Sequence, residues 1–315
     1  MKILIVANHN KGVFVPFITE QVNALKQLGV EVDYYGVHGK GIRGYLSNRS
    51  LLKAKIRDFR PDLIHAHYGL SGLLSNLQRR VPVVTTYHGS DIHAKGRNLL
   101  FSRVSIWLSA YNIFVSEQLQ KQAGSHGRNQ CTIPCGIDTF TIFSVDQLDA
   151  RKELGWEVDG KYVLFAGAFD NVVKNSPLAK KAVELLNRSN RTTPNVQLVE
   201  LRGFSRKQVN LAMNAANCFL MTSHREGSPQ VVKEAMVCGT PIVSVDVGDV
   251  KEITAGIEGC YIASYDANDI AKKLERALSF QGKTNGYQRI MERGLSNDNI
   301  AKRIIDIYNQ VLNKK

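Results

Sequence analysis

The chain of 315 residues has only five cysteines, an odd and scattered set. Such a set makes no disulfide framework. Cys131 and Cys135 stand four apart but have no His or Cys partner at zinc spacing, so all five read as reduced packing residues. Acid is scarce as well: 28 Asp and Glu against 41 Lys and Arg leave a net charge of +13. Charge on this scale informs on partners and not on fold. It suits nucleic acid, an anionic bilayer or phosphorylated substrates. Nucleic acid is set aside, because no recognition motif for it is present. No apolar run approaches the length of a membrane span. The run at Lys2 to Ala7 is too short for a signal-peptide core and reads as a first strand, which places the protein in the cytoplasm. Tandem repeats, low-complexity tracts and an Asp-x-Asp metal motif after a strand are all missing.

What is there is an ordinary soluble composition, 43% hydrophobic and 22% charged. The length allows one large core or two ordinary ones. The first strand is followed by a helix from Phe14 to Leu28, with Ile18, Val22 and Leu25 at helical spacing, and then by a strand from Val30 to Gly36. Strand, helix, strand implies a doubly wound parallel α/β sheet. A second such series begins at Tyr162 to Gly167, after a polar stretch, and the interdomain linker is placed at 146–160. This divides the chain into 1–145, 161–295 and a last helix at 296–315 with the stripe Ile300, Ile304, Ile307 and Val311.

The most informative stretch runs from Thr222 to Pro241. A short apolar run, Cys218 to Met221, precedes it as a buried strand. Ser228 suits a helix N-cap and Pro229 the first helical position. Gly239 and Pro241 stop the helix, and Ile242 to Val245 is the next strand. A helix that begins just after a parallel strand aims its first amides at the ligand crevice and favours an anion there. Glu226 lies on the loop before the helix and Glu234 within it. Carboxylates accept hydrogen bonds from hydroxyls, so polyols on either side of a phosphate would satisfy both. A nucleotide sugar has that layout.

Glu226 and Glu234, eight apart and followed by Ala-Met-x-Cys-Gly-Thr-Pro, resemble the signature of retaining GT-B glycosyltransferases of family 4 (glycosyl transferases group 1). The resemblance implies two doubly wound, Rossmann-like α/β domains facing a central cleft, with the last helix returning to the first domain. It implies a hexosyltransferase-type enzyme. The donor would be a nucleotide sugar, with a UDP-sugar favoured, and the acceptor a glycan or lipid-linked molecule in cell-surface polysaccharide or glycoconjugate synthesis. No cofactor or metal is implied. By the same resemblance Glu226 meets the donor sugar, Glu234 the ribose, and the helix start at Gly227, Ser228, Gln230 and Val231 the diphosphate. Lys174 matches a family cation on the diphosphate, whereas the usual Arg position is Ala168; Arg225 or Arg202 could supply that charge. His88, in Tyr87-His88-Gly89-Ser90-Asp91, matches the histidine near the reacting centre. Gly12 remains of the two glycines usual in the first loop, and Asp91 is a weak acceptor-side candidate. Cys135 stands where the family turn has Asn, and Asp249 stands at a second-glycine position after Gly248.

Other features stay open between two readings. His65-Ala66-His67 puts both rings on one strand face, for a metal or for a structural or cleft role, the second being favoured. The segment Tyr45 to Phe59 is a basic amphipathic helix, either an ordinary domain helix or one that lies on an anionic membrane surface. Leu99 to Leu108 is a core helix or part of an acceptor or membrane face. Two rival functions remain beside transfer: a nucleotide-sugar epimerase, and a non-catalytic GT-B subunit that binds a partner glycosyltransferase, which Ala168 keeps in view.

Overall fold

The computed structural model describes every residue except Lys11, Ala94, Lys95, His126, Arg128, 190–194 and Lys315. The chain divides into two compact units, Met1–Gly136 with Asn297–Lys315, and Ile137–Ser296. The first contains a six-stranded sheet: β1 (Lys2–Asn8), β2 (Glu31–Val37), β3 (Leu63–His67), β4 (Val83–Tyr87), β5 (Tyr111–Phe114) and β6 (Gln130–Thr132), in spatial order 2-1-3-4-5-6. The second contains β7 (Lys161–Phe165), β8 (Val196–Glu200), β9 (Cys218–Met221), β10 (Ile242–Val245) and β11 (Cys260–Ala263), in order 11-10-9-7-8. Every strand pair is parallel.

Period-two alternation explains how each sheet is covered on both faces. In β1, Ile3, Ile5 and Ala7 pack with Ile18, Val22 and Leu25 of the helix Pro16–Gln27 and with Ile300, Ile304 and Tyr308 of the helix Asn297–Leu312. Leu4 and Val6 point the other way, onto Tyr45, Leu52 and Leu74. In the second unit Leu164, Phe219 and Met221 face Val232 and Met236, while Val163, Phe165 and Leu220 face Val183 and Leu274. Each fully buried aliphatic side chain of this kind contributes about 1.5–3 kcal/mol.

Two sequence expectations change. Residues 146–160, read as a linker, carry the helix Gln147–Leu154, and Arg151 bonds back to Ala215 O at 3.0 Å and to the Asn217 side chain at 2.9 Å within the second unit. The segment Tyr45 to Phe59 is two helices, Gly41–Leu46 and Arg49–Phe59. Buried Asn48 breaks it, because its amide donates to His38 O and Gly44 O instead of to solvent. Leu52, Ile56 and Phe59 then pack in the core, which settles that stripe as a domain helix face. Among the described residues no helix is long and apolar enough to cross a membrane.

Candidate functional site

In each sheet the strand order reverses once, between β1 and β3 and between β7 and β9. Ligands of open parallel sheets bind beyond the strand ends at such points. Each unit gathers its chemistry there.

In the second unit the loops after β7 and β9 are laced together. Thr222 Oγ1 donates to Lys174 O and Asn175 O at 3.0 Å each, and His224 N donates to Val173 O at 2.9 Å. This holds the loops so that Lys174 Nζ donates to Glu226 Oε1 at 2.7 Å, with both side chains more than four-fifths buried. Gly167 makes room for it: a Cβ there would lie 3.1 Å from the Lys174 side chain. The helix Gln230–Cys238 starts next to Glu226. The positive end of its dipole lies at that start.

Ser228 is not the cap of that helix. Pro229 occupies the N-cap position, and the Ser228 hydroxyl turns inward to donate to Asp249 Oδ2 at 2.5 Å. Lys233, fully buried, donates in turn to Ser228 Oγ at 2.7 Å. The Asp at the second-glycine position therefore balances a buried cation that the sequence reading had not singled out. Burial raises the Asp249 carboxyl pKa, while Lys233 and the serine pull it back. Gly248, with φ +62°, brings the backbone against the same loop: a Cβ would fall 2.8 Å from Gly227 O. Glu234 is buried and accepts from Arg206 Nη1 at 2.6 Å. Arg206 opens the next helix N-terminal to it in sequence, behind the capping box of Ser205 and Gln208. Of the two candidate second cations, Arg202 is committed to Asp170 and Glu200. Arg225 is exposed beside Glu226, and among the described residues no carboxylate pairs with it.

In the first unit three imidazoles stack. The His65 and His67 rings lie 4.5 Å apart and the His67 and His88 rings 5.2 Å apart. His65 meets the Tyr308 hydroxyl at 2.6 Å and the Thr86 hydroxyl at 2.7 Å. His67 Nδ1 and His88 Nε2 share a hydrogen bond of 2.9 Å, and His88 Nδ1 faces Cys135 Sγ at 3.6 Å. Burial depresses all three pKa values, to about 3 for His65 and His88 and well below 6.5 for His67. The depressed values leave the ladder uncharged at neutral pH. Among the described residues no group of three His, Cys, Asp or Glu is placed to hold a metal ion.

Beside the ladder a pocket of about 510 Å³ is lined by Asn8, Asn10, Tyr45, Tyr68, Asp91 and Ser102, over apolar side chains. Asp91 accepts from Gly89 N at 2.9 Å and Gly69 N at 3.1 Å, yet burial still pushes its pKa up to about 6. Tyr68 was missed by pattern reading. It has φ +73° and ψ 150°, packs at a tilt of 44° against the His88 ring at 4.7 Å and lines the pocket. A non-glycine residue held there costs about 1–3 kcal/mol, and such strain concentrates at functional sites. Gly12, carried as a donor contact, lies in this unit, in a turn where its amide donates to His9 O.

Two Rossmann-like parallel sheets in one chain, the second with an ammonium–carboxylate pair at its switch point beside a helix start, define the GT-B class. Residues 9–140 match the model of Glycosyltransferase Family 4 and residues 175–279 that of Glycosyl transferases group 1. The chain belongs to this glycosyltransferase family. It is 26% identical over 257 residues to TuaC of Bacillus subtilis (strain 168), a glycosyltransferase provisionally assigned to teichuronic acid biosynthesis. That match covers 73% of the chain and 65% of TuaC, just under two thirds of the relative's length. Among solved structures, sucrose-phosphate synthase from Thermosynechococcus elongatus superposes with a TM-score of 0.81 at 18% identity, covering all of both chains. Anabaena HepE in complex with UDP and glucose gives 0.72 at 17% identity, covering 98% of this chain and 100% of HepE. At these identities the likeness shows the fold.

Proposed function

We propose that the protein transfers a hexosyl residue, with retention, from a nucleotide sugar to a glycan or lipid-linked acceptor in cell-surface polysaccharide or glycoconjugate synthesis, without a metal. The observation that carries this reading is the Lys174–Glu226 pair at the switch point of the second sheet, next to the start of the helix Gln230–Cys238. A diphosphate at the helix start draws on first-turn backbone amides and the helix dipole. Lys174 turns from Glu226 to a phosphate oxygen and offsets the charge that builds on the leaving group. Glu226 then accepts hydroxyls of the sugar, while Glu234, held by Arg206, takes the ribose. The acceptor hydroxyl attacks on the face that the diphosphate leaves, and the leaving phosphate oxygen takes its proton. A UDP-sugar is favoured as donor, which the UDP-bound HepE structures of the same fold support. The acceptor is assigned to the pocket at Asp91 and Tyr68.

Thermal unfolding against UDP, GDP, ADP and their common sugar conjugates tests the reading. A ligand at about 100 times its dissociation constant adds roughly 2.7 kcal/mol. One responding nucleotide names the base, and product analysis with that donor and an acceptor then reads transfer. A second reading, a non-catalytic subunit for a partner glycosyltransferase, is favoured by Ala168 at the usual arginine position. It expects no shift with any nucleotide.

A further inference from the structure

The second sheet runs in the order 11-10-9-7-8, and its strand ends lay out a line of side chains. Arg206 opens the helix after β8, Glu226 follows β9, and Asp246 and Tyr265 follow β10 and β11 at the far edge. A nucleotide sugar with its ribose at Glu234 and Arg206 and its diphosphate at the helix start reaches Glu226 with its sugar. The residues past Glu226 on this line, toward β10 and β11, then flank the sugar and not the nucleotide.

His224 and Tyr265 form an aromatic shelf there. Their rings lie 16° from parallel, with centroids 6.1 Å apart. Both side chains are exposed, Tyr265 by half. Both residues are nevertheless anchored. The Tyr265 hydroxyl donates to Ser223 O at 2.7 Å, and His224 N donates to Val173 O at 2.9 Å. Ser223 and His224 belong to the loop that Thr222 ties to Lys174, so the shelf and the Lys174–Glu226 pair are built on one loop. Glu226 is close enough for its charge to be felt: burial raises the Tyr265 phenol pKa first, and the Asp246 and Glu226 carboxylates raise it further. Aromatic faces beside a carboxylate match a pyranose. Hydroxyls at its rim need acceptors, and the C–H bonds on its faces carry a partial positive charge that the negative face of an aromatic ring attracts.

We propose that His224 and Tyr265 hold the apolar face of the transferred hexose while Glu226 takes its hydroxyls. The two rings are then specificity-determining residues of the donor site, acting on the sugar and not on the nucleotide. Anchoring fixes the rings before the donor arrives, so little of the contact is lost to ordering them. The proposal rests on the nucleotide-sugar reading of the same site.

Calorimetric titration of the full chain with UDP, GDP and ADP, and with UDP-glucose, UDP-galactose, GDP-mannose and ADP-glucose, tests it. His224→Ala and Tyr265→Ala each weaken the sugar conjugate that binds by about three- to tenfold, the scale of one aromatic contact, and leave the affinity for its bare nucleotide unchanged. His224→Phe, which keeps a flat ring, keeps the conjugate's affinity. Unchanged conjugate affinity in both alanine variants overturns the shelf and leaves the donor reading standing. An equal loss for conjugate and bare nucleotide does the same, since the two residues would then only hold the loop. No binding of any of these compounds to the unaltered protein overturns the donor reading, and the shelf with it.

Discussion

Lys174 Nζ sits 2.7 Å from Glu226 Oε1, joining the loop after β7 to the loop after β9 across the point where strand order reverses. Each is the other's partner until a ligand separates them, so substitution of either acts on turnover through two contacts at once. Lys174→Ala and Glu226→Ala are each expected to remove most transfer, because one lost stabilising contact raises a barrier of this type by about 3 kcal/mol, on the order of a hundredfold in rate. Initial rates with the responding donor measure this. Near-normal transfer by Glu226→Ala would end its assignment to the donor sugar.

With Ala168 at the usual arginine position, a second cation must come from elsewhere if the diphosphate has one. Arg202 is occupied by Asp170 and Glu200, whereas Arg225 stands exposed beside Glu226. Arg225→Ala is expected to weaken donor binding about tenfold, in line with loss of a charge-assisted contact, and Arg202→Ala to leave it unchanged. Calorimetric titration with the responding nucleotide sugar separates them. Equal binding by Arg225→Ala and the unaltered protein would show that Lys174 and the helix start suffice.

The buried ammonium of Lys233 and the carboxylate of Asp249 meet through the Ser228 hydroxyl. Removing one partner of a buried pair strands the other charge and costs about 3–5 kcal/mol. Lys233→Met and Asp249→Asn should each destabilise on that scale, and the double variant should recover most of the loss, since no net charge then remains buried. Urea unfolding of the three variants tests this. A double variant as unstable as the sum of the singles would mean that the two residues stabilise independently.

Sequence pattern alone located the strands well, because a buried parallel strand is a short, bounded apolar run. Cys218–Met221 and Ile242–Val245 fall where they were expected. It also brought Glu226 and the helix start to one place, since both follow one strand end, whereas Lys174 was added to them by the family resemblance. It failed where a partner distant in sequence decides. Ser228 reads as a cap until Asp249, twenty-one residues on, claims its hydroxyl. Asn48 looks like any polar residue in a helix until His38 O engages its amide. The stretch Leu99–Leu108 stays open between a core helix and an acceptor or membrane face, because nothing in one helix reveals that Gly69 and Gly72 of another will accept its serines.

The titratable groups of the first unit set opposing slopes of stability with pH. His65, His67 and His88 have depressed pKa values in the fold, so the unfolded chain takes up their protons first. Their neutral ladder is stable above about pH 6.5 and loses stability as pH falls toward 3. Asp91 has the opposite sign. Its carboxyl, raised to about 6, is protonated in the fold before the unfolded chain binds that proton, so it favours the fold as pH drops from 6 toward 4. Asp249, also raised by burial, adds to that sign. Near pH 5 the three histidines outweigh Asp91 and Asp249, so stability rises with pH, with a slope below about 2.7 kcal/mol per pH unit. Asp91→Asn removes one opposing proton and should steepen the slope by about 1.4 kcal/mol per unit, whatever it does to absolute stability. Unfolding free energies by urea at intervals from pH 5 to 7 give both slopes. A flat profile for the unaltered protein would mean that the imidazole ladder opens to solvent and titrates as free histidine does.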